Sequence, residues 1–146
     1  MRAGPERELT RDYLDRAQGL ARGLGFLAVE EQSVDLGKCR NRSEETSKLF
    51  SNLPDHAVVY ALDERGKALT SRAFSKSLVQ NRDDGHEASV FVIGGADGFE
   101  PADIPTGVRK ISFGVQTWPH KLVRVMVSEQ IYRALSIIAG TPYHRD

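Results

Sequence analysis

The 146-residue sequence predicts one α/β domain, residues 1–146, with a mainly parallel sheet covered by helices on both faces. Two observations carry that class. Segments with helical spacing alternate with strand-like segments, the pattern of βαβ units. Two of the strand-like segments read as strands buried on both faces: Ala57–Leu62, an unbroken apolar run, and Ser89–Ile93. No internal repeat, low-complexity tract or linker divides the chain.

Each element has its own local reason. Glu6–Leu24 reads as a helix because Leu9, Tyr13, Ala17, Leu20, Ala21 and Leu24 recur at intervals of three and four, with Pro5 suited to a first turn and Gly25 to a C-terminal cap. Phe26–Glu30 reads as a short strand. Ser43–Leu53 is predicted as a second helix, with Ser43 as N-cap, Glu44 and Glu45 in the electropositive first turn and Pro54 just beyond its end. After the Ala57–Leu62 strand, Asp63–Lys67 reads as a turn and Ser71–Val79 as a third helix stopped near Asp84-Gly85. Arg109–Trp118 is predicted as the last strand, feeding a long helix with an aromatic, proline-marked entry at Trp118-Pro119.

Composition narrows the function. Twenty basic residues balance twenty acidic ones, which argues against a generic electrostatic nucleic-acid binder. The balance is uneven, with a local +2 from Pro119 to Asp146 and −2 over the rest. No apolar run approaches the roughly 20 residues of a membrane span, and no signal-peptide pattern opens the chain, so a cytoplasmic location is expected. The single cysteine, Cys39, excludes an internal disulfide and reads as a bystander among Lys38, Arg40 and Arg42.

In parallel sheets ligands bind beyond the carboxyl ends of the strands. Leu62-Asp63, Gly94-Gly95 and the run to Trp118-Pro119 are therefore the places for a site. Ile93-Gly-Gly-Ala-Asp-Gly98 lacks dinucleotide or P-loop spacing. It reads either as a turn needing positive φ or as clearance for a ligand, with Asp97 as a turn residue. No metal site is expected, since His56, His86, His120 and His144 have no second histidine at i+3 or i+4. No G-x-S-x-G nucleophile elbow is present.

The long helix carries apolar residues nearly all round, from Leu122 to Ile138, more than one sheet contact requires. It is either fully buried or packs one face on the sheet and another on a second copy of the chain. The polar line Lys121, Arg124, Ser128, Tyr132 favours the second copy. Glu129 and Arg133 form an i,i+4 pair worth about 0.2–0.5 kcal/mol. The chain then ends on Tyr143-His144-Arg145-Asp146, an unusual density of functional side chains for a helix tail.

These residues carry a resemblance. Leu62-Asp-Glu-Arg-Gly-Lys67, Ile93–Gly98, Trp118-Pro-His-Lys-Leu-Val-Arg-Val-Met126, Glu129-Gln-Ile-Tyr-Arg133 and Pro142–Asp146 resemble, in order and spacing, the small bacterial SPOUT-class methyltransferases that modify N3 of a pseudouridine in helix 69 of 23S ribosomal RNA. The resemblance spans Pro5 to the last residue. It implies a C-terminal trefoil knot, which general folding rules disfavour, S-adenosylmethionine as methyl donor, and a homodimer acting on the ribosome. It implies a cofactor site at Leu62, Gly94, Phe113, Gly114, Val115, Gln116, Thr117 and Trp118. The family pattern also places a strand ahead of Ala3–Glu8, so the expected sheet lacks that strand or the start lies upstream. Asp146 stands where glutamate is common.

Removing the imide proton of N3 needs a base or a cation facing the developing anion. His144 is the expected proton acceptor, Tyr143 stacks on or hydrogen-bonds the base, and Arg124, Arg133 and Arg145 stabilise the anion or contact phosphate. Two other readings stay open: a SPOUT enzyme for another RNA nucleotide, and a non-catalytic ribosome-binding factor.

Overall fold

A computed structural model describes residues 4–146. In chain order the elements are α1 (Pro5–Ala21), α2 (Arg42–Leu49), β1 (Ala57–Ala68), α3 (Ser71–Asp83), β2 (Ala88–Ile93), β3 (Arg109–Ser112) and α4 (His120–Ala139), with single 3₁₀ turns at Arg22–Leu24 and Pro101–Asp103. The sheet is parallel, in the order β2-β1-β3. The predicted class and helix placement hold. Residues 1–3, the start of the stretch that the expected extra strand would precede, lie outside the described part.

β1 is the central strand, and its two faces build two cores by the period-two rule. Val58 and Tyr60, with Leu62, face Phe74 and Leu78 of α3 and Ala134 of α4. Ala61 and Val59 face the other way, toward Val92, Phe99 and the Leu49–Phe50 end of α2. α4 is wedged between α1 and α3. Leu135 packs on Ala17 and Ala21, and Ser75 Oγ donates to the Ala134 carbonyl at 3.0 Å. The two alanines of α1 are fully buried, so α1 and α4 approach closely.

Four elements differ from the sequence reading. Phe26–Glu30 is not a strand: no described strand runs beside it, the Val29 N–H goes instead to Gln18 Oε1 at 2.7 Å, and Leu27 is left exposed. α2 begins earlier, because Asn41 and not Ser43 is the cap, accepting the Glu44 N–H at 2.9 Å. It also ends earlier, just before Asn52 turns left-handed at φ 58°. β1 does not stop at Leu62. Asp63–Gly66 bulge outward, and Lys67-Ala68 rejoin β3 at Ile111-Ser112. The turn-forming residues therefore make a bulge inside a strand. β3 ends at Ser112 rather than Trp118, because Ser112 Oγ accepts the Gly114 N–H and donates to its carbonyl while Gly114 adopts φ 120°.

Candidate active site

The three carboxyl strand ends converge on a cleft of about 750 Å³, within the range of small-molecule sites. Leu62, Gly94, Phe113, Gly114, Gln116, Thr117 and Trp118 line it. Seven of the eight residues expected at a cofactor are thus brought together from three separate segments. The eighth, Val115, is 94% exposed and does not line the cleft.

The local structure explains why the cleft stays open. Gly98 sits at φ 75° and its N–H donates to the Gly95 carbonyl, so the glycine segment is a tight turn and a cleft wall at once. A Cβ on Gly94 would lie 3.2 Å from the Gly98 backbone, so Gly94 is required first by the turn. Opposite, the Val115–Trp118 backbone N–H groups donate to no group within the described chain. These residues are exposed, so their N–H groups stand open to water or to a ligand in the cleft.

The β1 bulge supplies side chains the sequence reading left in a turn. Asp63 is nearly buried and takes a fork from Arg65, Nε to Oδ1 at 3.1 Å and Nη2 to Oδ2 at 3.0 Å. Burial pushes the Asp63 carboxyl up, but the Arg65 hydrogen bonds outweigh it and hold the pKa below its usual value. Glu64 accepts from Thr117 Oγ1 at 2.7 Å, tying the Phe113–Trp118 loop to β1 across 53 residues. Gly66 passes so close to β3 that a Cβ would lie 2.5 Å from the Lys110 carbonyl carbon. The Asp-Glu-Arg-Gly sequence was legible as a turn, but its role as a clamp needs β3 beside it.

The tail forms a second cluster. Arg133 Nε donates to Glu129 Oε1 at 2.7 Å, as the i,i+4 spacing predicts. Its Nη1 lies 3.1 Å from His144 Nδ1. A guanidinium only donates, so Nδ1 accepts and the ring proton sits on Nε2, which donates to Asp146 Oδ1 at 3.0 Å. Arg72, at the start of α3, grips the same carboxylate through two hydrogen bonds of 2.6 and 2.9 Å. Arg72 and then His144 hold the Asp146 pKa down to about 2. Tyr143 packs edge-on against Tyr132 at 4.6 Å and under Arg133 at 4.7 Å, with its hydroxyl donating to Glu129. Burial, followed by the Tyr13 hydroxyl and the Glu129 charge, pushes its pKa to about 12. At neutral pH Tyr143 is therefore a donor and not a base. Arg145 is exposed beside this cluster. Sequence reading missed Arg72, which no local pattern links to a carboxylate 74 residues away.

Arg124 does not join the cluster. It is forked to Glu31 in a separate crevice. Nor does the cluster join the cleft. His120 and Val123 face the cleft, and none of the tail residues lines it. Helical residues turn by about 100° and rise about 1.5 Å each, so Glu129 points to the opposite side of α4 from His120 and lies about 13 Å along it. Leu122 remains 43% exposed and Trp118 39%, with Leu9 of α1 at 47%. Among the described residues no group of three histidine, cysteine or acidic side chains could hold a metal ion, and no helix is long and apolar enough to cross a membrane.

The chain is similar to known methyltransferases over nearly its whole length. Residues 1–144 match the family model described as "Predicted SPOUT methyltransferase". The chain is 47% identical over 145 residues to the ribosomal RNA large subunit methyltransferase H of Hyphomonas neptunium, covering 99% of this chain and 93% of that protein. It is 47% identical to the protein of the same name from Maricaulis maris, over 100% of this chain and 94% of that one. The Phenylobacterium zucineum protein of that name is 48% identical over 142 residues, 97% of this chain and 91% of its own. With its parallel sheet, its cleft beyond three strand ends and a match over nearly its whole length, the chain belongs to the SPOUT methyltransferase family.

Proposed function

We propose that the protein methylates N3 of a pseudouridine in helix 69 of 23S ribosomal RNA, on assembled ribosomes in the cytoplasm. It does so as a homodimer in which the tail of one protomer completes the cleft of the other. One observation carries the dimeric reading: within one chain the cleft and the tail cluster lie on opposite sides of α4. An isologous pairing of α4 with its copy, along the exposed Trp118, Leu122 and Leu9, would set each tail beside the partner's cleft.

S-adenosylmethionine supplies, when bound, a methyl group on a sulfonium centre open to in-line attack. The chain's part is positioning and proton removal. Unpaired backbone groups at Val115–Trp118 suit an adenine edge, and Leu62 and Phe113 give it apolar walls. His144 takes the N3 proton at Nδ1, which requires the imidazole to exchange Arg133 for the substrate. Arg133 and Arg145 are then placed to face the anion left on the base. Tyr143, held as a neutral phenol, hydrogen-bonds or stacks on it.

Labelled methyl transfer to ribosomes, followed by mapping of the modified nucleotide, tests the substrate. Label at another nucleotide, or none at all, sinks it. Isolated rRNA is expected to be a poor substrate, because a chain of zero net charge has little non-specific hold on RNA. The dimer is tested by mixing two inactive proteins, one altered in the cleft loop and one carrying His144→Ala. Only sites shared between protomers regain activity, to about a quarter of wild type for random pairing.

A further inference from the structure

A crevice of about 340 Å³ lies between α1, α4 and the extended segment after α1, lined by Arg7, Arg11, Asp15, Val29, Glu31 and Arg124 among others. Nothing in the methyl-transfer chemistry above uses it. Arg7 and Arg11 stand one helical turn apart on the same face of α1, both exposed. Neither takes part in any ion pair among the described residues. Arg124 forms the floor. Its side chain is only 17% exposed, Glu31 occupies one edge of the guanidinium, and Nη1 is fully buried with no hydrogen-bond partner. Because Nη1 is enclosed, an anion entering the crevice would meet Arg124 on the Nε–Nη2 edge that Glu31 now holds. Three arginines face two carboxylates here, a net +1 on a chain whose total is zero.

We infer that this crevice is a phosphate site, gripping the backbone of the RNA substrate through Arg7, Arg11 and Arg124 while Glu31 competes for Arg124. The inference rests on the reading of the substrate as ribosomal RNA. Backbone RNA fits better than a free anion because Arg7 and Arg11 repeat along one face of α1 with no carboxylate partner, a row of cations that suits successive phosphates. Such a site also answers how a neutral protein holds a polyanion: by one built contact and not by a general field.

The test measures binding of the full-length protein to unmethylated ribosomes across a range of salt. Arg7→Ala/Arg11→Ala should weaken binding by about 10-fold or more and flatten the log–log salt dependence by about 1 to 2. Glu31→Gln, which raises the local charge to +2, should tighten it. Melting temperature and S-adenosylmethionine affinity report that the variants are folded. Unchanged affinity and slope in the double variant, with wild-type methylation of ribosomes intact, overturns the phosphate site alone. Loss of inorganic phosphate binding without loss of ribosome binding overturns it too, in favour of a free-anion site. A wild-type protein that neither binds nor methylates ribosomes removes the functional reading beneath it.

Discussion

The two ends of the α4 system are built by different means. The cleft at its start is made of backbone: three strand ends, a glycine turn, a serine-locked kink at Gly114 and a bulge pressed against β3. The tail cluster at its end is made of side chains: Arg133, Glu129, Tyr143, His144, Asp146 and Arg72 hold one another. Backbone construction fixes a binding shape that barely responds to a surface substitution. Side-chain construction leaves groups that can exchange partners, as the proposed proton transfer to His144 would demand. The two ends should therefore fail in different ways.

The largest effect is expected at the cleft. Gly66→Ala places a methyl 2.5 Å from the Lys110 carbonyl carbon and 2.6 Å from the Ile111 nitrogen, and neither strand can yield without tearing the sheet. We expect a loss of about 3 kcal/mol or more in denaturant unfolding, with S-adenosylmethionine binding lost in parallel. A soluble variant of wild-type stability would show that β1 and β3 are not packed as described. His144→Ala should do the reverse. Single-turnover methyl transfer is expected to fall by about 10²-fold or more, with cofactor affinity and melting temperature unchanged. A full single-turnover rate would remove His144 from the chemistry.

That contrast also decides what could be read from the sequence. The cleft was legible because local signals mark its three segments, at Leu62-Asp63, Gly94-Gly95 and Trp118-Pro119, although only Gly94-Gly95 lies at a true strand end, since β1 runs on to Ala68 and β3 stops at Ser112. What local signals did not give was register. Asp63–Lys67 looks like a turn in any context, and only β3 alongside makes it a bulge in a longer strand. The same holds for Phe26–Glu30, whose β-like composition finds no strand to pair with among the described residues. In the tail, the residue types were legible and the Glu129–Arg133 pair followed from helical spacing. Arg72 was not, because an ion pair closed over 74 residues leaves no trace in either neighbourhood.

Arg72 gives a smaller and more selective effect. Both it and Asp146 are more than half exposed, so Arg72→Gln should leave the melting temperature unmoved, as exposed ion pairs contribute little. It should still free Asp146, and through it His144, so methyl transfer to ribosomes is expected to drop severalfold. A change in stability with no change in rate would assign Arg72 to the fold and not to the tail.

The smallest effect lies in the alkaline titration of the tail. Tyr143 titrates at about 12 in the folded protein, against 10.0 for a free phenol, chiefly because it is buried and then because Tyr13 and Glu129 crowd it. Between those values the folded chain keeps a proton that the unfolded chain has lost. The contribution is therefore whole below pH 10 and declines as pH rises through about 12. Absorbance at 295 nm should show a late phenolate step that disappears in Tyr143→Phe, and the variant's stability should fall less steeply over the same window. If the late step survives in Tyr143→Phe, the hydroxyl is not enclosed by its own helix. The tail would then rest elsewhere, already extended toward a partner, and the separation of the two ends within one chain would lose its basis.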